Sequence, residues 1–410
     1  MLDIEIIRKN PEKVKEAMVA RNKSIEIIDD FIDLDTKWRE LVSEIQSLTV
    51  EQKKLASEKK IDEAKKIKNK IKEKEDLLPE IEKSRYSILL EIPNIPFENV
   101  KRGKNESENN AIKTFGEIPK FDFEIKDHMD LGENLGIIDT KKASKASGSR
   151  FYYLKGKGAL LEFALIRYAI DILTENDFEP VIVPVMIKPD VYEKMGRLSP
   201  SQRDERYYIE AEDLYLVGSG EHTLGPLQMN EVIDEKDFPK RYVGFSSCFR
   251  KEAGSYGKDV KGILRVHQFD KVEMYVFSDP LKSEEEHKFM VSMQEKIYQG
   301  LDLPYQVVEI CTGDMGPTDA RQFDIEAWIP SQNKYREVAS CSNTSDYQTR
   351  GINTKIKRGD NKTEYAHALN ATAIAIGRTI IAILENNQNA DGSISIPKNL
   401  QKYLSFDIIS

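Results

Sequence analysis

An apolar stripe in the first quarter of the chain limits the fold more than any other feature. Phe31, Leu34, Trp38, Leu41, Ile45, Leu48, Gln52 and Leu55 recur at alternating steps of three and four residues. Such steps hold a narrow seam in line along one helix face, which is coiled-coil periodicity. A helix over residues 28–58 would be roughly 45 Å long at about 1.5 Å per residue. The stripe lapses over residues 57–61 and resumes from about Asp62 with Ile67, Ile71, Leu78, Ile81, Ile88 and Ile92. Two long helices joined by so short a turn must be antiparallel, so residues 26–92 read as a helical hairpin. Pro79 falls inside the return helix and should kink or restart it. Residues 1–24 read as one short capping helix, with Pro11 as an early helical position after Asn10. The segment EIPNIP (residues 91–96) should end the hairpin, since proline disfavours helix for itself and its predecessor.

The charge on this hairpin departs from that of the chain. Over 410 residues, 61 Lys and Arg stand against 70 Asp and Glu, for a formal charge of −9. Residues 51–74 nevertheless hold ten lysines against five acids. A local basic segment on an acidic body suits a phosphate backbone at one place, while a solvated helix face is the plainer alternative. Hydrophobic content of 40% with 32% charged residues describes a globular chain, neither disordered nor fibrous. The most apolar helical stretch, residues 158–173, still carries Glu162, Arg167 and Asp171, so no membrane span is expected. The N-terminus lacks the apolar core of a signal peptide. Cys248, Cys311 and Cys341 lie far apart without a C-x-x-C pair, so a reduced, cytoplasmic setting without structural zinc is expected.

Residues 101–110 are polar, and a linker is expected over about 101–115. Beyond it, strands alternate with helices: a helix over 158–176, strands over 180–187, 214–218, 241–250, 264–277, 323–329 and 334–339, and a last long helix over 371–386. Hairpin-linked strands with interspersed helices predict an α+β domain on an antiparallel sheet flanked by helices. The most informative stretch is FRKEAGSYGKDVKGILRVHQFDKVE (residues 249–273). It places Arg250 at a strand end, Glu252 two residues on, and Gly254, Gly257 and Gly262 in a loop that can approach a ligand closely. On the returning strand Phe269, Lys271 and Glu273 share one face. Phe269 and Glu273 are roughly 13 Å apart at about 3.3 Å per residue, of the order of the length of an adenylate. Each residue singly fits an ordinary charged hairpin; together they do not.

This stretch resembles motif 2 of the seryl-tRNA synthetases, a family of class II aminoacyl-tRNA synthetases, and the resemblance covers the whole chain. The helix from Gly158 and the strand with Pro184 look like motif 1, the dimer-interface element. NATAIAIGR (370–378) with the helix after it looks like motif 3. CTGDMG (311–316) and YREVASCSNTSDYQTR (335–350) resemble segments particular to the seryl enzymes. The implied architecture is an N-terminal tRNA-binding domain (1–100) bearing the arm (26–92), then a class II catalytic domain (116–410).

The resemblance implies roles. Arg250 would hold the α-phosphate and the serine carboxylate, and Arg378 the γ-phosphate. Glu252 would face the adenine amino group, and Phe269 would stack on the base beside Val266. Lys251, Val338 and Ala339 complete the implied ATP site. Glu337 and Ser340 match the magnesium ligands, hard oxygen donors that suit this ion beside phosphates. An arginine within the apolar run of residues 376–384 is costly if buried without an anion, which a triphosphate supplies; a snorkelling surface arginine is the alternative. Ser219, Gly220, Glu221, Glu273, Asn370 and Thr372, with Arg250, form the implied serine pocket. Here the chain departs from the family's usual Thr-Ala-Glu at 219–221 and from its usual serine at 372. Both changes keep a hydroxyl; the methyl gained at Thr372 should tighten the pocket and those missing at Ser219 and Gly220 should loosen it. Ala339 replaces a usual serine. His267 reads as structural.

The implied activity is ATP-dependent formation of seryl-adenylate, followed by transfer to tRNA(Ser), with tRNA(Sec) an open second acceptor. Lys53, Lys54, Lys59, Lys60, Lys65, Lys66, Lys68 and Lys70 would contact the tRNA, and a homodimer would present each arm to its partner's site. Two other readings stay open on sequence: a ligase loading an amino acid onto a carrier protein, whose type lacks such an arm, and an inactive RNA-binding paralogue.

Overall fold

The computed structural model describes residues 1–252 and 262–410. The residues expected as one capping helix form two, α1 (Ile4–Lys9) and α2 (Pro11–Ala20). Pro11 has no N–H with which to continue α1, and the Asn10 side chain caps α2 by accepting from the Lys13 N–H. Helix α3 (Glu26–Ser57) spans 32 residues; α4 (Ile61–Glu75) and α5 (Leu78–Glu91) return along it. Lys74 pairs with Glu44, and Trp38 Nε1 donates to Glu82 at 3.0 Å, which fixes the antiparallel register. Pro79 lies in the first turn of α5, so the helix restarts there. Ile67 and Ile71 are buried against α3.

The root of the hairpin packs in a second core of Leu2, Ile7, Val14, Met18, Ile28, Phe31, Leu89 and Ile92, which Tyr347 of the second domain completes. Beside it lies a carboxylate that the apolar pattern does not foretell. Asp35 is 2% exposed and accepts from Arg8 at 2.8 and 2.9 Å, from Arg85 at 2.7 Å and from Arg39 at 3.1 Å.

Residues 92–115, which include the linker expected over 101–115, are docked on the second domain. Asn94 is buried; its N–H donates to Pro317 O, and its Nδ2 to Thr318 O and Thr344 O. The chain then passes under residues 311–313, through Thr312 N–H to Lys101 O and Gly313 N–H to Gly103 O. It enters the main sheet as the edge strand β1 (Asn110–Phe115).

The sheet continues with β2 (Glu179–Ile182), β3 (Lys240–Phe249), β4 (Gln268–Ser278), β5 (Tyr305–Glu309), β6 (Arg321–Ile329), β7 (Lys334–Asn343) and β8 (His367–Ala375). Its order is β1-β5-β6-β7-β8-β4-β3-β2, antiparallel except at the β2–β3 edge. Two expectations change. The strand over 180–187 is broken around Pro184, and Met186–Ile187 joins a separate small sheet. Residues 371–375 belong to β8, so the last long helix begins only at Ile376; β8 is buried on both faces, which removes the alternation that separates a strand from a buried helix.

Helices α6 (Lys157–Thr174), α7 (Ser283–Gly300) and α8 (Ile376–Asn386) pack on one face of the sheet. Val272, Met274 and Val276 of β4 point into that core. By alternation, Lys271 and Glu273 point to the opposite face, where the polar residues of β7 and β8 also collect. No helix among the described residues is long and apolar enough to cross a membrane.

Candidate active site

On the polar face of the sheet lies a cavity of about 410 Å³. Its floor comes from β4, β7 and β8, and its rim from residues 263–266, the helix Glu221–Leu224 and residues 314–319. Two β-bulges aim the floor. Between β4 and β8 the register passes from Val272↔Ile374 to Glu273↔Thr372, skipping Ala373 and setting Thr372 opposite Glu273. Between β6 and β7 it passes from Ile325↔Ala339 to Glu326↔Glu337, skipping Val338. Residues three apart on a strand normally face opposite ways; this bulge returns Glu337 to the Ser340 side.

At one end Arg250 follows β3. Its backbone N–H donates to His267 O at 3.0 Å, and His267 Nδ1 lies 3.1 Å from Arg250 O. This histidine therefore frames the strand ends, as expected. Arg250 Nε donates to Gly218 O at 3.1 Å, and the guanidinium sits 5.3 Å from the Phe269 ring centroid. Glu252 has a positive φ of 49°, and its carboxylate is 3.5 Å from Arg265. Val266 is buried at the wall. Lys251 is apart from the cavity lining, its ammonium 6.0 Å from the Tyr207 ring. Gly254 and Gly257 lie outside the described residues.

Arg378, in the first turn of α8, meets Glu337: Nη1 lies 3.1 Å from Oε1 and donates to the Glu337 carbonyl at 3.0 Å. The expected anion for this arginine is thus supplied by the protein itself. Arg378 holds the Glu337 carboxyl below its ordinary range, and Glu337 in turn raises Arg378. Ser340 lines the cavity beside them. Asp324 stands opposite Ser340 in the sheet, buried; burial and the Glu337 charge push its carboxyl well above the usual range.

The other end is the pocket of Ser219, Glu221, Glu273, Asn370 and Thr372, all buried and all lining the cavity. Gly220 lies behind it. A Cβ there would meet Ser246 Oγ at 3.2 Å and Glu273 Cβ at 3.4 Å. Glu273 Oε2 accepts from Thr372 Oγ1 at 3.3 Å and pairs with Lys271 Nζ at 2.7 Å, which also donates to Ser219 Oγ at 2.8 Å. Burial pushes the Glu273 carboxyl up, with Lys271 pulling against it. Burial also opposes the Glu221 charge, yet Arg197 at 2.5 Å and His222 at 3.5 Å hold that carboxyl well below its usual range. Burial drives His222 down to about 3, leaving it neutral near pH 7. Asn370 Nδ2 is buried without a hydrogen-bond partner among the described residues.

Sequence reasoning missed Arg197, His222, Asp324 and the role of Lys271. Only Lys271 had a signal: a lysine between Phe269 and Glu273 on one face must reach the same site. The lysines expected to contact tRNA (53, 54, 59, 60, 65, 66, 68 and 70) are all exposed around the arm tip, which is the turn between α3 and α4.

Comparison with known proteins agrees along the chain. Residues 1–96 match the family model of the seryl-tRNA synthetase N-terminal domain, and residues 206–387 that of the tRNA synthetase class II core domain for G, H, P, S and T. A serine–tRNA ligase from Fervidobacterium nodosum is 42% identical, with 100% of this chain and 99% of the relative covered. The crystal structure of seryl-tRNA synthetase from Pyrococcus horikoshii complexed with ATP superposes with a TM-score of 0.91 at 42% identity, covering 100% of this chain and 99% of that one. The crystal structure of cytoplasmic serine–tRNA ligase from Naegleria fowleri in complex with AMP does so with a TM-score of 0.87 at 34% identity and the same coverage.

Proposed function

The chain belongs to the seryl-tRNA synthetase family of class II enzymes, and from that premise we propose how its residues divide the work. The protein is an ATP-dependent serine–tRNA ligase of the cytoplasm. It joins serine to ATP as seryl-adenylate with release of pyrophosphate, then passes the seryl group to the terminal ribose of tRNA(Ser). One observation carries the assignment of the site: a single cavity is lined by Phe269, Arg250 and Arg378 together with Ser219, Glu273 and Thr372.

The first step is attack of a carboxylate oxygen on the α-phosphorus. It needs alignment and charge neutralisation more than proton transfer. Arg250 holds the serine carboxylate and α-phosphate against each other, and Arg378 exchanges Glu337 for the γ-phosphate. Phe269 and Val266 hold the adenine, and Glu252 accepts from its amino group. Val338 and Ala339 contribute walls around the nucleotide, and Lys251 follows Arg250 at the edge of the cavity. Magnesium, bound with ATP, would be held by Glu337 and Ser340 and would neutralise phosphate oxygens. The donor set fits it: a carboxylate and a hydroxyl that one bulged strand turns to the same side of the cavity. At the other end Glu273, Thr372 and Ser219 receive the ammonium and hydroxyl of serine, Asn370 Nδ2 supplies a free donor, and Glu221 with Gly220 shapes the wall. A pocket that bonds the hydroxyl rejects alanine, because its own polar groups would be left unpaired.

Residues 1–100 form the tRNA-binding unit and residues 116–410, with the edge strand β1 just before them, the catalytic unit. The exposed arm-tip lysines suit backbone contact with tRNA. Homodimer formation is supported by exposed apolar side chains on the motif 1 elements α6 and β2: Leu160 at 48%, Phe163 at 68% and Ile182 at 99%. The test of the function is ATP–pyrophosphate exchange across all the proteinogenic amino acids. Serine should support it far better than threonine or alanine; equal support by either would refute the serine pocket.

A further inference from the structure

Lys271 is a buried ammonium on the floor of the active site, 6% exposed. It makes no long excursion to solvent, and the roles assigned to the pocket do not use it. Its Nζ lies 2.7 Å from Glu273 Oε2 and 2.8 Å from Ser219 Oγ. The third group on this knot, Thr372 Oγ1, donates to the same Oε2 at 3.3 Å. Both donors therefore take one oxygen of Glu273. The other, Oε1, has no hydrogen bond or ion pair among the described residues, and Glu273 lines the cavity. Backbone geometry enforces the arrangement: Lys271 and Glu273 are two apart on β4, and the bulge at Ala373 brings Thr372 opposite Glu273.

We propose that Lys271 is a positioning residue for serine: by tying Oε2 of Glu273 to Ser219, it leaves Oε1 as the open anionic acceptor for the substrate. The proposal rests on the reading of this pocket as the serine site. Its physical basis is the environment of Glu273. Burial disfavours the carboxylate, and the Glu221 carboxylate on the neighbouring helix adds repulsion. The buried thiols of Cys248 on β3 and Cys341 on β7 are pushed up by burial and are neutral. His222 is neutral, and Arg197 is taken up by Glu221 and Asp319. Among the described residues Lys271 is thus the cation in contact with Glu273; without it Glu273 takes up a proton and the pocket loses its anion.

The experiment compares wild type, Lys271→Met and Lys271→Arg in serine-dependent pyrophosphate exchange from about pH 6 to about pH 8.5, a window spanning the expected titration of an unpaired buried carboxyl. Methionine keeps the volume of the side chain and removes its charge. In Lys271→Met the serine KM should rise roughly tenfold or more near pH 7, as for loss of a charge-assisted bond. The defect should shrink as pH rises and Glu273 ionises, the ATP KM should stay within about twofold, and Lys271→Arg should recover most of the loss. A merely structural lysine would move both KM values without this pH dependence, and that result would overturn the proposal. A cycle with Glu273→Gln gives a second readout: if Lys271 acts through Glu273, the double variant is no worse for serine than Glu273→Gln alone. Additive losses would also overturn it. If wild type shows no serine-dependent exchange, the serine reading itself fails, an outcome distinct from both.

Discussion

The arginine knot at the arm root predicts what happens when its carboxylate is neutralised. In Asp35→Asn the shape is nearly kept, but Arg8 and Arg85 lose their anion. Removing one partner of a buried pair costs about 3–5 kcal/mol. Here the guanidiniums are 27% and 15% exposed, so water relieves part of the loss, and Arg39 at 51% adds little. The lower end, about 3 kcal/mol, is the expectation. At about 1.4 kcal/mol per tenfold, the root should open roughly a hundredfold more often. Native-state hydrogen exchange reads this directly: amides of α3 around Phe31–Leu41 and of α5 around Leu89 should lose protection, while those of β4 keep theirs. tRNA charging should fall and serine-dependent exchange should not. The knot also has a pH signature. Burial works against the Asp35 charge, but Arg8 and Arg85 bring its carboxyl below the ordinary range. Stabilisation is therefore complete above the unfolded value near about 3.9 and is lost as pH falls through the folded one. The wild-type root should loosen in acid below about pH 4, and Asp35→Asn should abolish that dependence. Unchanged amide protection in the variant would refute the reasoning.

Arg250→Ala and Arg378→Ala should each slow single-turnover adenylate formation by roughly 10²–10³-fold, through loss of a charged contact in the transition state, with little change in melting temperature. Neutralising Lys65, Lys66, Lys68 and Lys70 together should weaken tRNA binding and flatten its dependence on salt while serine activation persists; an unaltered slope would make the lysine run a solvated face. A subunit lacking residues 1–95 and a full-length Arg250→Ala subunit should each fail to charge tRNA(Ser). As a purified heterodimer they should regain charging, by the mutant's arm serving the truncated subunit's site; an assembled heterodimer that still makes seryl-adenylate but charges nothing would contradict arm delivery across the dimer.

The arm was legible because its signals are local: a 3-4 repeat, a lapse at 57–61, a proline at 79. The ends of the cavity were legible because Arg250, Phe269 and Glu273 lie within one hairpin. What escaped is set by contacts far apart in sequence or by irregular backbone. Asp35 looks like any polar residue beside a seam until Arg8 and Arg85 arrive from other helices. Arg197 reaches Glu221 from a segment without periodicity. The bulges at Val338 and Ala373 follow from no residue type, yet they decide which side chains enter the cavity. The docking of residues 101–110 escaped for a related reason: they have the polar composition of a tether, but Lys101 and Gly103 carbonyls accept from Thr312 and Gly313.

Whether this cavity makes seryl-adenylate and hands its seryl group to tRNA(Ser) is tested by incubating the full chain with labelled serine, ATP and magnesium. The protein is isolated by rapid gel filtration and the complex chased with tRNA(Ser). Label should be retained on the protein as seryl-adenylate, dependent on ATP and absent in Arg250→Ala, and should pass to the tRNA during the chase. A wild-type protein that retains no labelled adenylate, or whose retained label never reaches tRNA(Ser), would contradict this activity.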